Sequence, residues 1–178
     1  AASGSRSVYR LMMPTADWLL PDWPAPARVK ACVTTRAGGV SLAPFDTFNL
    51  AEHVEDDLQA VAHNRQCLSA RIDCSPAWLR QVHGVAVADA DPAVVAEADA
   101  SWTAKTGVAC AVLTADCLPV LFCDRAGSRV AAAHAGWRGL AAGVLEATLA
   151  ALAVPASEVL VWLGPAIGPQ AFEVGSEV

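Results

Sequence analysis

The sequence predicts an α/β domain, because short apolar runs of strand length alternate with segments in which apolar residues recur at helical spacing. The last third gives the clearest pattern, with a strand over 129–133, a helix over 140–152 and a strand over 159–163. Strand, helix and strand at this spacing predict a right-handed crossover between parallel strands. Loops that follow the carboxyl ends of such strands commonly line a ligand site.

The first half of the chain predicts a strand, a long loop and a helix. Residues 28–35 are β-prone and end in a glycine turn, whereas residues 36–54 show no helical period. Apolar residues at helical spacing then predict a helix over 56–72, and Asp56 and Asp57 favour its N-terminus. Long ordered loops often carry function, so the loop is of interest as well.

The middle of the chain predicts three further strands. One covers 77–87 and is interrupted at His83-Gly84, and the others cover 108–113 and 118–123. Near-continuous apolar runs of this kind suit strands that are covered on both faces.

Length and charge narrow the possible classes of protein. A chain of 178 residues favours one domain, which we place at 28–178, after a flexible leader and entry segment at 1–27. A net charge of −6 and the lack of a dense basic cluster disfavour nucleic acid as a partner. No apolar run reaches the roughly 18 residues of a membrane span. We expect a cytoplasmic monomer with reduced cysteines.

Three separated, turn-prone segments each supply one possible metal ligand. These ligands are His83, Cys117 and His134. One thiol and two imidazoles suit zinc, and three protein ligands leave a fourth position open, as in catalytic zinc sites. The same residues also suit a metal-free cysteine hydrolase, in which Cys117 is the nucleophile and either histidine is its base. Spacing alone leaves both hypotheses open.

Two arginines are candidates for binding an anion. Arg138 lies at the entry to the predicted helix over 140–152, where backbone N–H groups and a guanidinium can together bind phosphate. Arg36, beside Gly38-Gly39, can complete such a pocket. An ordinary surface ion pair is the alternative for each of them.

Three more residues are weaker candidates. Asp116, next to Cys117, can act as an acid, a base or a support for a ligand, although it also suits a turn. Asn49 is a weaker candidate of the same kind, as a group that contacts substrate. Phe172 can stack on a planar base, although core packing is the better explanation of it.

Six motifs carry a resemblance to a known family. They are Thr34-Thr35-Arg36, Phe48-Asn49-Leu50, Gln81-Val82-His83-Gly84, Thr114-Ala115-Asp116-Cys117, His134-Ala135-Gly136-Trp137-Arg138-Gly139 and Leu163-Gly164-Pro165-Ala166-Ile167. Their order and length resemble the polyphenol oxidoreductase laccase-domain family, which is also called the peptidoglycan editing factor or purine nucleoside phosphorylase family. Members of the family usually continue several dozen residues further, so the resemblance implies that the C-terminal part of the fold is absent.

The resemblance implies a single domain with a mixed, partly parallel sheet sandwiched by helices, and a zinc site at His83, Cys117 and His134. It also implies phosphorolysis of adenosine, inosine or methylthioadenosine, and deamination of adenosine. The substrates would then be a purine nucleoside and phosphate. Some members are linked instead to the editing of a muropeptide precursor.

The family's older label is copper-dependent phenol oxidase. Four-copper laccase chemistry needs on the order of ten histidines, whereas this chain has four, which excludes that chemistry for a single chain. We therefore expect zinc as the cofactor, with copper as the alternative metal.

Overall fold

The computed structural model describes residues 18–176, which fall into two compact units. Unit 1 contains residues 18–20 and 32–71, and unit 2 contains residues 21–31 and 72–176. Helices and mixed strand pairing occur together, so the predicted mixed α/β class is confirmed. Residues 1–17 of the predicted leader lie outside the described part, and residues 18–20 belong to unit 1.

Unit 1 is built on helix α1, Leu58–Ile72, which confirms the predicted helix over 56–72. The carboxylate of Asp57 accepts the N–H of Gln59 at 2.9 Å and caps the first turn. Inside the helix, Asn64 is fully buried. Its amide donates to the carbonyl oxygens of Thr47 and Asn49, which anchors the predicted long loop on α1.

The strand predicted over 28–35 is wrong. Within this run only Val33 pairs, through an isolated bridge in which it exchanges two backbone hydrogen bonds with Leu19. A β-prone composition needs a partner of similar length before a strand can form, and this segment has a partner at one residue.

Unit 2 contains the strands of the fold. Its described strands are β1 Ser75–Ala77, β2 Leu79–Arg80, β3 Val87–Asp89, β4 Ala96–Glu97, β5 Ala100–Thr103, β6 Val108–Cys110, β7 Leu118–Asp124, β8 Val130–Ala135 and β9 Val159–Leu163. Five of them form one sheet in the order β3-β5-β8-β7-β9, in which β3 and β5 are parallel and the other neighbours are antiparallel. The remaining four form the parallel pairs β1–β6 and β2–β4.

Two helices follow β8, namely α2, Trp137–Ala142, and α3, Val144–Leu152. Helix α3 packs on β8, β5 and β3, and the core between them includes the fully buried side chains of Val144 and Leu152. Within 18–176, no helix has both the length and the apolar character that a membrane span requires.

The single helix predicted over 140–152 is wrong in one respect. The segment forms α2 and α3, which meet at Gly143 with a φ of 99°. That left-handed backbone angle ends α2 and begins α3, and glycine adopts it without a steric penalty.

Several predicted strand bounds also need correction. The run over 77–87 forms short separate strands, and the run over 108–113 ends at Cys110. Strand β8 extends beyond 133 to Ala135, so His134 lies inside a strand and not after one. The strands predicted at 118–123 and 159–163 are confirmed as β7 and β9.

The predicted strand, helix and strand pattern is confirmed for the direction of its two strands. Strands β8 and β9 do run in the same direction, because each is antiparallel to β7, but β7 lies between them.

Candidate metal centre

Sheet topology brings four chemically important residues of unit 2 to one edge. Strands β3, β5 and β7 run in one direction and β8 runs in the other, so three N-terminal ends meet one C-terminal end. His83 precedes β3, Asp99 directly precedes β5 and Cys117 directly precedes β7. His134 lies near the end of β8, opposite Pro119 of β7.

The three predicted ligands converge on one point. One ligand atom from each of His83, Cys117 and His134 lies within 4.8 Å of the other two. The Cys117 Sγ and His83 Nε2 atoms are 3.9 Å apart, and the two imidazole rings meet edge to face with centroids 4.7 Å apart. Zinc bonds of normal length at tetrahedral angles separate ligand atoms by about 3.3–3.6 Å, so small side-chain movements would complete a site.

Burial differs across the cluster. His134 is buried at 4% exposure, Cys117 is half-buried and His83 is exposed. The three candidate ligands therefore form a buried inner side and a side open to solvent. This arrangement suits a site that admits a small molecule, since catalytic zinc sites keep one coordination position open.

Asp99 is a site residue that the sequence did not reveal. Its side chain is fully buried, and its Oδ1 atom lies 2.8 Å from Nδ1 of His134. Its carboxylate also accepts three backbone N–H groups, from Val82 at 3.1 Å, His83 at 2.9 Å and Gly84 at 2.7 Å. One carboxylate thus contacts the segments that carry both histidines.

Electrostatics keep Asp99 ionised. Burial raises the pKa of its carboxyl, but the hydrogen bonds from His134 and from the three N–H groups outweigh burial and hold that pKa below its usual range. The short run in which it stands, between Ala98 and Ala100, resembles ordinary strand sequence. An aspartate directly before a short, mostly buried strand is the one signal that could have marked it.

Gln81 is a second residue that the sequence analysis missed. Its amide donates to the carbonyl of Leu113 at 2.8 Å and accepts the N–H of the same residue at 2.7 Å. This two-point contact ties the segment before His83 to the segment before Cys117.

Two glycines allow the backbone after β8 to approach the His83 segment closely. A Cβ atom on Gly136 would lie 2.6 Å from Cδ2 of His83 and 3.1 Å from Sγ of Cys117. A Cβ atom on Gly139 would lie 2.8 Å from the carbonyl oxygen of Gly84. Glycine, whose side chain is a single hydrogen atom, avoids these clashes at both positions.

The Cys117 thiol is not activated by its protein surroundings. Burial, followed by the negative charges of Asp116 and Asp99, raises its pKa above the ordinary value. In such surroundings the thiol stays protonated near neutral pH until a cation offsets the charge, and a bound metal ion does so.

Three further predicted site residues belong to unit 2. Asp116 has an exposed side chain, and its carbonyl accepts the N–H of Ile167 at 2.9 Å. Arg138 is exposed inside α2 and not before a helix, with its guanidinium 4.5 Å from the Trp137 ring centroid. Phe172 is 40% exposed, so it is not the core residue that packing would require.

Arg36 and Asn49 belong to unit 1, whereas the ligands belong to unit 2. The Arg36 guanidinium donates to the carbonyl oxygen of Asp46 at 2.7 Å. The Asn49 amide donates to the carbonyl of Ala51 at 3.1 Å and to the carboxylate of Asp56 at 2.9 Å. Both side chains thus contribute to the order of their own loop.

Comparisons with known proteins find a matching family and similar relatives. A family model described as multi-copper polyphenol oxidoreductase laccase matches residues 30–178. A Pseudomonas aeruginosa protein named purine nucleoside phosphorylase is 71% identical over 161 residues, which cover 90% of this chain and 66% of the relative. An Escherichia coli protein of the same name is 54% identical over 164 residues, covering 90% and 68%.

Solved structures show the same fold. A Neisseria meningitidis protein superimposes with a TM-score of 0.87 at 52% identity, covering 90% of this chain and 67% of the other. A Geobacillus stearothermophilus protein gives 0.83 at 31% identity, covering 90% and 66%. The chain therefore spans about two thirds of the length of the proteins that it matches.

Proposed function

The chain belongs to the multi-copper polyphenol oxidoreductase laccase family, and from this and its cluster we propose that it is a zinc-dependent purine nucleoside phosphorylase. Relatives at 71% and 54% identity carry the name purine nucleoside phosphorylase. The observation that supports the proposal most is the convergence of His83, Cys117 and His134 within 4.8 Å, at a place that is open to solvent on one side.

The proposed reaction transfers ribose from a purine base to phosphate. An oxygen of phosphate forms a bond to the anomeric carbon, the bond from that carbon to the base nitrogen breaks, and the base leaves with a proton. His83, Cys117 and His134 would hold the zinc ion, which supplies Lewis-acid chemistry when bound. The protein supplies the position of the two reactants and of the proton.

Arg138 is the residue that we assign to phosphate. Its guanidinium is exposed, and among residues 18–176 no carboxylate forms a salt bridge with it. A guanidinium binds phosphate oxygens through two parallel hydrogen bonds. Contact with the Trp137 ring restricts the side chain without using its N–H donors.

Asp116 and Phe172 are assigned to the nucleoside. Asp116 has an exposed carboxylate directly before the ligand Cys117, so it can hydrogen-bond to substrate or hold the proton that the base takes. Phe172 offers an exposed ring on which a planar base can stack. Deamination of adenosine is a second reaction for the same site, because three-ligand zinc sites support hydrolysis.

A cysteine-dependent amidohydrolase acting on a muropeptide precursor is the alternative function. The 3.9 Å separation of Cys117 Sγ from His83 Nε2 favours it, since a nucleophile and its base lie close together in such enzymes. Both functions use Cys117, so its replacement by itself does not separate them, whereas metal dependence does.

Adenosine separates the candidate reactions in one experiment. Metal-free protein and zinc-loaded protein are each incubated with adenosine, with and without phosphate, and the products are resolved by chromatography. We expect adenine and ribose 1-phosphate from the zinc-loaded protein only when phosphate is present. Inosine formed without phosphate would indicate deamination alone.

Matched cysteine variants make the result specific to the cluster. Cys117→Ala removes a ligand, and we expect it to lose turnover by a factor of about 10² or more. Cys74→Ala removes a half-buried free thiol outside the cluster, and wild-type turnover is expected. Equal activity with and without metal would count against the proposed function.

A further inference from the structure

We propose that Asp99 is the positioning residue for both histidine ligands of the metal site. One buried carboxylate then orients two imidazole rings that are distant from each other in the sequence. The proposal rests on the metal site of the proposed function but not on its substrate. Four hydrogen bonds carry it, three from backbone N–H groups of residues 82–84 and one from the His134 ring.

The first effect is on the ring of His134. Backbone N–H groups can only donate, so a carboxylate that receives three of them acts as an acceptor, and Nδ1 of His134 carries the hydrogen at 2.8 Å from Oδ1 of Asp99. The lone pair of the neutral ring then lies on Nε2, the atom that is free to bind metal. The backbone N–H of His134 also donates to the carbonyl of Asp99 at 2.7 Å, which fixes the residue at both ends.

The second effect is on the backbone of His83. This residue has a φ of 60°, a left-handed conformation that residues other than glycine seldom adopt. The N–H groups of Val82, His83 and Gly84 converge on the carboxylate, in the way that successive N–H groups form an anion-binding concavity. Asp99 thus stabilises the turn that directs the His83 ring at Cys117.

Asparagine has the same shape as aspartate but cannot replace it here. Oδ2 accepts from Val82 and Gly84, and Oδ1 accepts from His83 and His134, so both oxygens are used as acceptors. An amide has one oxygen only, and its NH₂ group would face N–H donors in either orientation. If that group replaces Oδ1, His134 must accept through Nδ1, and its hydrogen moves to the Nε2 atom that metal needs.

Zinc affinity of Asp99→Asn tests the proposal. Zn²⁺ is titrated alone into metal-free protein in competition with a chromophoric chelator, and folding is checked by circular dichroism. We expect binding about 10–100-fold weaker than in the wild type, as for other residues that orient metal ligands. Because the measurement needs no nucleoside, it tests the role of Asp99 even if the chain does not catalyse phosphorolysis.

Asp124→Asn is the matched control. Asp124 is also buried and also accepts backbone N–H groups, from Ser128 at 2.6 Å and Arg129 at 2.9 Å, but its described contacts include no ligand of the metal site. We expect this variant to bind zinc as the wild type does. Equal zinc affinity in Asp99→Asn and the wild type, or equal weakening in both variants, would overturn the proposal.

Imidazole ¹⁵N spectra give a readout that loss of stability does not change. In the metal-free wild-type protein we expect His134 to carry hydrogen on Nδ1, and in Asp99→Asn we expect hydrogen on Nε2 or a mixture. The wild-type spectrum is decisive even if the variant does not fold. Hydrogen on Nε2 of His134 in the wild type would contradict the positioning role.

Discussion

Gly136 shows how a single residue can be required for what it lacks. Its φ of −65° and ψ of 156° suit any amino acid, so backbone conformation does not explain the glycine. Space does, because a Cβ atom there would lie 2.6 Å from Cδ2 of His83 and 3.1 Å from Sγ of Cys117. The ring of His83 would have to move, since the pairing of β7 with β8 holds the backbone at Cys117 and Gly136 in place.

Gly136→Ala should therefore weaken zinc binding while the fold persists. We expect the dissociation constant to rise by roughly tenfold or more, because a displaced ligand ring loses its orientation toward the metal. Chelator competition measures the constant. Gly168→Ala is the matched control, since a Cβ atom at Gly168 meets nothing within 4 Å. Unchanged affinity in Gly136→Ala would mean that the cluster tolerates the methyl group.

At the scale of elements, the β7–β8 hairpin unites a thiol and an imidazole. Its antiparallel register places Leu118 opposite Ala135 and Pro119 opposite His134, which brings Cys117 to the end of β8. The turn at the far end of the hairpin is closed by Asp124, whose carboxylate accepts both the N–H and the hydroxyl of Ser128.

Asp124 should make the hairpin sensitive to acid. Burial raises the pKa of this carboxyl, but hydrogen bonds from Ser128 and Arg129 outweigh it and lower the pKa in the folded state. A lowered folded pKa means that the stabilisation is complete above the unfolded value of about 3.9 and is lost as pH falls through the folded value. The stability lost in Asp124→Asn should therefore be greatest near neutral pH and shrink below about pH 4.

Urea unfolding of both proteins at a series of pH values measures this difference. Asp57→Asn gives a comparison, because Asp57 caps α1 from an exposed position and lies outside the hairpin. A difference between wild type and Asp124→Asn that stays constant with pH would show that the charge of Asp124 contributes nothing.

At the scale of the whole molecule, the sheet core is separate from the candidate metal site. The core of unit 2 is apolar and includes Val120, Phe122 and Leu152, none of which is a ligand. Hydrogen bonds of Asp99 and Gln81 already connect the segments that carry the candidate ligands. The chain is therefore expected to fold without metal, unlike small zinc domains in which the ion drives folding.

Zinc should nevertheless raise the melting temperature of the folded chain. A ligand that binds only the native state raises the free energy of unfolding by about 2.7 kcal/mol when its concentration is 100 times its dissociation constant. Differential scanning calorimetry with and without zinc measures the shift, and a chelator should reverse it. The Cys117→Ala variant should show little shift. A metal-free wild type that lacks secondary structure would contradict the expectation.

The three candidate ligands could be selected from the sequence because their residue types and turn-prone neighbours are local properties of the chain. Asp99 was not, because its role depends on β5 pairing with β8 and on a turn whose three N–H groups converge on it. The break at Gly143 was missed because a glycine in a helical pattern is compatible with both an intact and an ended helix.

Topology was the harder part of the fold. The apolar runs over 118–123 and 159–163 correctly marked β7 and β9, but nothing local indicates that β7 lies between β8 and β9. That placement makes β8 and β9 parallel without being neighbours. The antiparallel register of β7 and β8 also puts the start of β7, with Cys117, beside the end of β8, near His134.

X-ray absorption at the zinc edge tests the metal site most directly. Protein purified without added metal and then loaded with one equivalent of zinc should show one sulfur ligand at about 2.3 Å and nitrogen or oxygen ligands at about 2.0–2.1 Å. The sulfur signal should vanish in Cys117→Ala and persist in Cys74→Ala. Zinc without a sulfur ligand in the wild type, or no bound zinc, would contradict the site formed by His83, Cys117 and His134.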